Sequence, residues 1–480
     1  MDVIILTEGG KDYGFGHVAR CSSIYQAFLE YGVSPKFIIN GDDSVKSILN
    51  DILFEVNDWL NNFDLFDSSD IVIIDSYLAN FEFYEKISKK CPLTVYIDDN
   101  NRLEYPNGII VNGTLDVTNI DYSKREEVLY LVGKEFVPLR SDFWNISTLK
   151  VKEDIENVLI TTGGNDLRNL TPKLLDLLNI HYPNLIKKVI IADSFTNTFE
   201  IESLKNDNVE LIYSPDSKGI AEVMSDIDLA ISASGQTLYE LACIGIPTIA
   251  IGIIENQANN IKNWQKIDFI EYAGCWNNER LLDNVLEKIE YLKDKNIRQG
   301  KNLIGTNAVD GKGSLRIAKN ILTEYYKKYS IFREIKQDDC LKIFEIANDN
   351  EVRQSSFNSD KIELENHKKW FKNILQSDST KFYVLEFNED IIGQIRFDFD
   401  EELPVISISL NKKYRGLGLS KYLLYKGMES DKYTELVAYI KKDNLKSIAL
   451  FKSMGFEREN EVTIKGCEAF RFIRERVYEI

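Results

Sequence analysis

The chain has 480 residues, a net charge of −18, 44% hydrophobic and 28% charged residues. At the usual ~100–200 residues per folding unit this is about three domains, and proportions this ordinary exclude wholesale disorder. The negative charge makes nucleic acid a poor partner, but small anions stay open as ligands because glycine loops and helix N-termini hold them through backbone N–H groups.

Six cysteines without CxxC spacing argue against a zinc site and a disulfide framework, so no metal is expected and a reducing, cytoplasmic setting fits. The opening MDVIILTEGG reads as a buried strand. No apolar stretch is long enough to span a bilayer, so no membrane insertion is expected.

Short apolar runs at Val3–Thr7, Lys36–Asn40, Ile71–Asp75, Thr94–Ile97 and Ile109–Asn112 alternate with helical patterns, which calls for a parallel sheet covered on both faces. The pattern restarts with Val158–Thr162, Val189–Ala192, Glu210–Tyr213, Leu229–Ser232 and Thr248–Ile251. Near Tyr325–Ser330 the texture changes. A strand at Ile331–Ile335, helical patterns at Asp338–Asn350 and Asp360–Gln376, and a hairpin Phe382–Phe387/Ile391–Phe399 then read as α+β. The expected organisation is two doubly wound α/β domains, 1–145 and 146–328, followed by an α+β domain, 329–480.

The loop after the first strand, Gly9 to Arg20, opens a helix, so Gly14 and Gly16 let backbone approach a phosphate, with His17 at the helix start and Arg20 one turn on along the same face. A capping or packing role for His17 stays open on spacing alone. His181 reads as a helix-end residue. In the second domain Gly163 and Gly164 follow the first strand, where doubly wound domains meet phosphates. Ser234, Gly235 and Thr237 join a later strand to a helix and are placed to hold a diphosphate. Glu240, a turn deeper, is either a ribose acceptor or a solvated carboxylate.

These segments resemble the GT-B architecture, and specifically the UDP-2,4-diacetamido-2,4,6-trideoxy-β-L-altropyranose hydrolases of pseudaminic acid biosynthesis, over about residues 1–326. The GxGHxxR run at Gly14–Arg20 carries most of the likeness, with the run Ser234–Pro247 and Asn256-Gln257. The resemblance implies that His17 positions or deprotonates the attacking water, that Tyr77 and Asn256 contact the sugar, and that Arg20 and Gln257 join the UDP-sugar-binding residues.

In the last third, strand Val405–Leu410 runs into Arg415-Gly416-Leu417-Gly418-Leu419-Ser420-Lys421, a glycine turn opening a helix whose amides converge on one spot suited to a pyrophosphate. A strand at Glu435–Lys441 and a helix from Asn444 to Gly455 follow. This pairing resembles the GNAT acetyltransferases. It implies acetyl-CoA as co-substrate, pantetheine along the backbone of Ile408 and Leu410, and Asn444 near the thioester arm. The position of that superfamily's thiolate-protonating tyrosine holds Phe451. His367 reads as an ordinary, partly exposed helical histidine, with a role as base left open.

Together the two resemblances imply N4-acetylation of a UDP-4-amino-4,6-dideoxy sugar followed by hydrolysis to free sugar and UDP. The alternative is a GT-B glycosyltransferase fused to an acetyltransferase of sugar or protein amines.

Overall fold

The computed structural model describes residues 1–11, 13–49, 52–66, 69–116, 120, 122, 125–430, 433 and 435–474, apart from the side chains of Ser47 and Asn256. It divides into two compact units, Met1–Ile321 and Leu322–Ile480.

The first unit holds two parallel sheets. One is built from β1 (Val3–Gly9), β2 (Lys36–Gly41), β3 (Phe54–Val56), β4 (Ile71–Asp75), β5 (Leu93–Ile97), β6 (Gly108–Asn112) and β7 (Val128–Val132), in the spatial order β3-β2-β1-β4-β5-β6-β7. The other comprises β8 (Asn157–Thr161), β9 (Ile186–Ile191), β10 (Val209–Tyr213), β11 (Leu229–Ala233), β12 (Thr248–Gly252) and β13 (Ile270–Cys275), ordered β10-β9-β8-β11-β12-β13. All their pairings are parallel.

Alternation within each strand explains why both faces need helices. In the second sheet Leu159, Ala230 and Ala250 pack with Leu238, Leu241 and Trp264 on one side. Their neighbours Val158, Ile160, Ile231, Ile249 and Ile251 pack with Leu174, Leu178, Val285 and Ile289 on the other. A strand buried on both faces reads as an unbroken apolar run, which is why these strands were legible.

Three strands of this unit lie outside the expected set: β3, β7 and β13. Each is the outermost strand of its sheet. Edge strands lose part of their cover: β3 is only three residues long with mixed burial, and β7, although VLYLV is an apolar run, is only partly buried.

The second unit is built on one mixed sheet, β14 (Ile331–Glu334), β15 (Thr380–Phe387), β16 (Asp390–Asp398), β17 (Val405–Leu410), β18 (Leu436–Lys441), β19 (Glu457–Ile464) and β20 (Cys467–Arg474), ordered β14-β15-β16-β17-β18-β20-β19. The β19–β20 hairpin is a further addition to the expected elements; β19 is an exposed edge with almost no apolar side chains. The one parallel pair, β17 with β18, is in register only at Val405↔Val437, so beyond that point the two strands part. The chain therefore combines two parallel α/β sheets of Rossmann-like, GT-B-like form with an α+β GNAT-type sheet.

The carboxyl edge of the first sheet is held by a close backbone approach. A Cβ on Gly41 would stand 1.6 Å from the Gly9 carbonyl oxygen, and one on Gly9 would stand 2.1 Å from Val18 Cγ2. Gly41→Ala is expected to destabilise the first unit by about 1–3 kcal/mol through overpacking. A thermal melt followed by circular dichroism should show its midpoint several degrees lower; an unchanged midpoint would mean that β1 and β2 have room to part.

Candidate active site

Parallel strands bring all their carboxyl ends to one edge, and in the first sheet those ends are acidic. Register Thr7↔Asp75 and Asp75↔Ile97 sets Glu8, Asp75, Asp98 and Asp99 side by side, facing the start of the helix Gly16–Glu30. The loop into that helix is closed by reciprocal N–H···O bonds between Gly10 and Gly14 (3.1 and 2.8 Å). Gly14 has φ +78°, a left-handed conformation that favours glycine, and a Cβ at either Gly14 or Gly16 would meet nothing within 4 Å.

One turn apart on that helix, His17 and Arg20 both reach Asp75, as their spacing predicts. The Arg20 guanidinium grips Asp75 with Nε on Oδ2 and Nη2 on Oδ1 (2.6 Å), while Nη1 holds Asp99 Oδ1 at 2.6 Å. His17 Nδ1 lies 3.2 Å from Asp75 Oδ1 and 4.0 Å from Glu8 Oε1. No acceptor is aligned for a well-directed hydrogen bond from Nδ1, so this coupling is chiefly charge to charge.

Tyr77 is half-exposed and fixed from three sides. Its hydroxyl donates to Asp99 Oδ2 (2.9 Å), its N–H donates to Glu8 Oε1 (2.5 Å), and its ring meets the His17 ring edge-on at 4.8 Å. Glu8 also accepts from Ser76 Oγ (2.6 Å). Arg102 Nη2 clamps the same turn through the Ser76 and Ala79 carbonyls (3.0 and 2.9 Å).

The charges act on one another across this frame. Burial alone would raise the pKa of Asp75, but the Arg20 and His17 cations beside it hold the carboxyl well below the usual carboxylate range. For His17, burial pulls the pKa down, and the Asp75 carboxylate, helped by Glu8 and opposed by Arg20, outweighs it; the net shift is upward from the ordinary imidazole value.

Sequence reasoning assigned Arg20 to the nucleotide and passed over Glu8, Asp75 and Asp99 as site residues. The structure commits the guanidinium to two carboxylates. The readable signal was an acid closing each of three apolar strand runs, LTEGG, IVIID and VYIDD.

In the second sheet Gly163 (φ +93°) stands open, and the Phe15 ring lies 3.4 Å from where a Cβ on Gly164 would stand, so the two glycine loops of this unit face each other. The turn Gly235-Gln236-Thr237 leads into the helix Thr237–Ile244, and none of these three amides has a backbone acceptor among the described residues. Ser234 is buried and its hydroxyl donates to the Ile251 carbonyl (2.9 Å), so that hydroxyl is already used within the fold. Asn260, not singled out from sequence, ties the turn down: Nδ2 donates to the Ser234 carbonyl and Oδ1 accepts from Tyr239 (2.9 Å each).

Gln257 Oε1 accepts from the Ile253 N–H (2.9 Å). The Asn256 side chain lies outside the described residues. Glu240 is buried and accepts from Arg140 Nη2 at 2.7 Å, so the solvated-carboxylate reading fails and the group is a paired buried carboxylate.

In the second unit Gly416 (φ +82°) and Gly418 (φ +75°) shape the loop before the helix Leu419–Ser430, and a Cβ at either would meet nothing within 4 Å. The amides of Gly416, Leu417, Gly418, Leu419 and Ser420 have no backbone acceptor among the described residues, while Lys421 N–H bonds back to the Gly418 carbonyl at 3.2 Å. Leu417 and Leu419 are buried, so only their backbones face outward. Arg415 turns away from the loop, with Nη2 on Asp349 (2.6 Å) and Nη1 on Glu351 (3.2 Å). Beyond Val405 the β17 edge that carries Ile408 and Leu410 has no ladder partner on the β18 side.

One expectation is corrected. His367 is 2% exposed; Nε2 bonds to the Cys340 carbonyl (3.0 Å), and Phe344, Trp370 and Phe371 enclose it. Burial lowers its pKa, so it is a neutral core residue. Asn444 spends its side-chain oxygen as the N-cap of the helix Leu445–Ser453, accepting from Ser447 N–H (3.1 Å). Phe451 is buried edge-on against Phe456 at 4.9 Å and offers no proton. His181 ends the helix Thr171–His181, where its sequence context put it.

Among the described residues no group of three or more His, Cys, Asp or Glu is placed to hold a metal ion, and no helix is long and apolar enough to cross a membrane.

Residues 330–457 match the acetyltransferase (GNAT) domain family, so the second unit carries a GNAT acetyltransferase domain. Solved structures similar to it include an N-acetyltransferase from Staphylococcus aureus Mu50 (20% identity, 30% of this chain and 98% of that chain, TM-score 0.28). Another is the spermidine N-acetyltransferase from Vibrio cholerae in complex with CoA and spermine (14% identity, 30% of this chain and 94% of that chain, TM-score 0.28).

Over nearly its whole length the chain is 26% identical to an uncharacterized protein of Methanocaldococcus jannaschii, covering 96% of this chain and 99% of that one. The N-terminal region is distantly similar to two further proteins. The Helicobacter pylori pseudaminic acid cytidylyltransferase and UDP-2,4-diacetamido-2,4,6-trideoxy-β-L-altropyranose hydrolase is 25% identical over 65% of this chain and 54% of its own length. The Bacillus subtilis spore coat polysaccharide biosynthesis protein SpsG is 23% identical over 68% of this chain and 99% of its own length.

The cap at Asn444 sets a stability test. Asn444→Ala is expected to cost about 1 kcal/mol in the second unit, and Asn444→Asp, which keeps an accepting oxygen, only a few tenths. Urea titration of the three proteins checks this; equal losses in both variants would assign Asn444 another role.

Proposed function

We propose that the chain joins two steps on one nucleotide sugar: acetylation of a 4-amino group by the second unit, then hydrolysis of the sugar–diphosphate bond by the first. The observation that carries the hydrolytic half is the Asp75–His17 pair beside an open glycine loop. The H. pylori relative, whose name includes that hydrolase activity, supports the same reading.

In this reading the UDP diphosphate lies against the open loops of Gly163-Gly164 and Gly235-Gln236-Thr237, where unspent N–H groups and a helix start meet it. Asp75 favours a proton on His17 Nδ1, which leaves the Nε2 lone pair for water. Water attacks the anomeric carbon, Nε2 takes its proton, and the C–O bond to the diphosphate breaks with UDP keeping the electron pair. Tyr77, Asn256 and Gln257 contact the sugar or its carrier. UDP is a good leaving group, so no carboxylic acid of the glycosidase kind is called for.

In the second unit the amides from Gly416 to Ser420 hold the pyrophosphate of acetyl-CoA, and the parting of β17 and β18 receives the pantetheine. The sugar amine attacks the thioester carbonyl, the C–N bond forms, nitrogen gives up a proton to solvent, and the C–S bond breaks with sulfur keeping the electron pair. Phe451 cannot protonate the departing thiolate, so it leaves as the anion or takes a proton from solvent.

The reading predicts UDP release from the acetylated UDP-sugar without any added acceptor. His17→Ala should lower that release by roughly 10²–10⁴-fold and leave acetyl transfer unchanged. UDP appearing only when an acceptor sugar is supplied would make the first unit a glycosyltransferase instead. The pH dependence has a definite sign, because a base works when neutral. Hydrolysis should fall as pH drops through the His17 pKa, with the acid limb above the ordinary imidazole value of ~6.5. Asp75→Asn should move that limb to lower pH.

A further inference from the structure

The GNAT family match begins at residue 330, yet the second unit begins at Leu322. The extra residues are the end of the helix Gly313–Tyr329, and they pack on the glycine loop and on the elements beside it. Thr323 Oγ1 donates to the Leu417 carbonyl. The Tyr326 ring stands edge-on to Tyr414 at 5.3 Å and to Phe387 at 5.0 Å. Tyr422, in the helix that the loop opens, donates its hydroxyl to the Lys327 carbonyl at 3.1 Å.

The first of these contacts has a directional consequence. The peptide between Leu417 and Gly418 is trans and planar, so its C=O and N–H point in opposite directions. Anchoring the Leu417 oxygen on the helix side therefore turns the Gly418 N–H away from that helix, and the loop is open at both glycines, where a Cβ would meet nothing within 4 Å. Gly418, on one side of this peptide, lacks a Cβ to restrict its φ, so an external anchor on the Leu417 oxygen helps to set the direction of the peptide.

We propose that Thr323 is a positioning residue for acetyl-CoA: its hydroxyl fixes the Leu417–Gly418 peptide so that the Gly418 N–H meets the cofactor's pyrophosphate. This rests on the loop being the diphosphate cradle. The residue touches neither cofactor nor reacting atoms, and it lies before the matched GNAT segment.

The test uses the full chain and calorimetric titration with acetyl-CoA, then with S-acetylpantetheine, which carries the same thioester without the diphosphate. Thr323→Val, which keeps the shape and removes the hydroxyl, should raise the acetyl-CoA Kd about 3–10-fold. Thr323→Ser should bind nearly as the native chain does, and the S-acetylpantetheine Kd should be the same in all three.

Native-like acetyl-CoA binding by Thr323→Val would overturn the proposal. So would an equal loss toward both ligands, which would mark a general packing role. If the native chain itself fails to bind acetyl-CoA, the cofactor reading falls and takes this inference with it.

Discussion

A buried carboxylate at the end of β4 organises the first unit's edge. Asp75 is fully buried, and a carboxylate in that position is costly unless paired. Arg20 supplies the bidentate partner and, by also reaching Asp99, makes one cation serve two strand ends. Asp99 then holds the Tyr77 hydroxyl and Asp75 faces His17, so strand order, helix phase and side-chain direction are all set around one ion pair. Remove the guanidinium and two neighbouring carboxylates would repel each other against His17.

The two units carry the same backbone device in different settings. In each, a strand ends in a glycine-bearing turn whose N–H groups are left over at the start of a helix. A net charge of −18 is no obstacle to such sites, because the donors are local and fixed while the carboxylates are spread over the surface or paired. What differs is the neighbourhood. The first unit sets a histidine between buried acids close to its loops. The second parts two strands next to its loop and buries Phe451 against Phe456.

Strands buried on both faces were legible because they write themselves as uninterrupted apolar runs; β1, β4, β8 and β11 are examples. The edges β3 and β19 were not, since a three-residue strand and a largely charged one share their composition with loops. The glycine turns and the His17/Arg20 phase were legible from spacing. The partners of those residues were not, because Asp75 and Asp99 come from strands 55 and 79 positions away from Arg20 and only the sheet order brings them together. His367 shows the converse limit. Its sequence context, with flanking Asn366, Lys368 and Lys369, is that of an exposed helix, but its own face turns into Phe344 and Phe371.

The account depends on the contest at His17 between burial, which disfavours the imidazolium, and Asp75, which favours it. The chain has only three histidines, so their ring signals can be assigned by substitution and followed by NMR as pH is changed. The structure predicts that His17 titrates above the ordinary imidazole value of ~6.5. It also predicts that Asp75→Asn lowers that pKa, because burial and Arg20 are then opposed only by the more distant Glu8. A native His17 titrating at or below the ordinary value, unmoved by that substitution, would contradict the coupling on which the proposed chemistry stands.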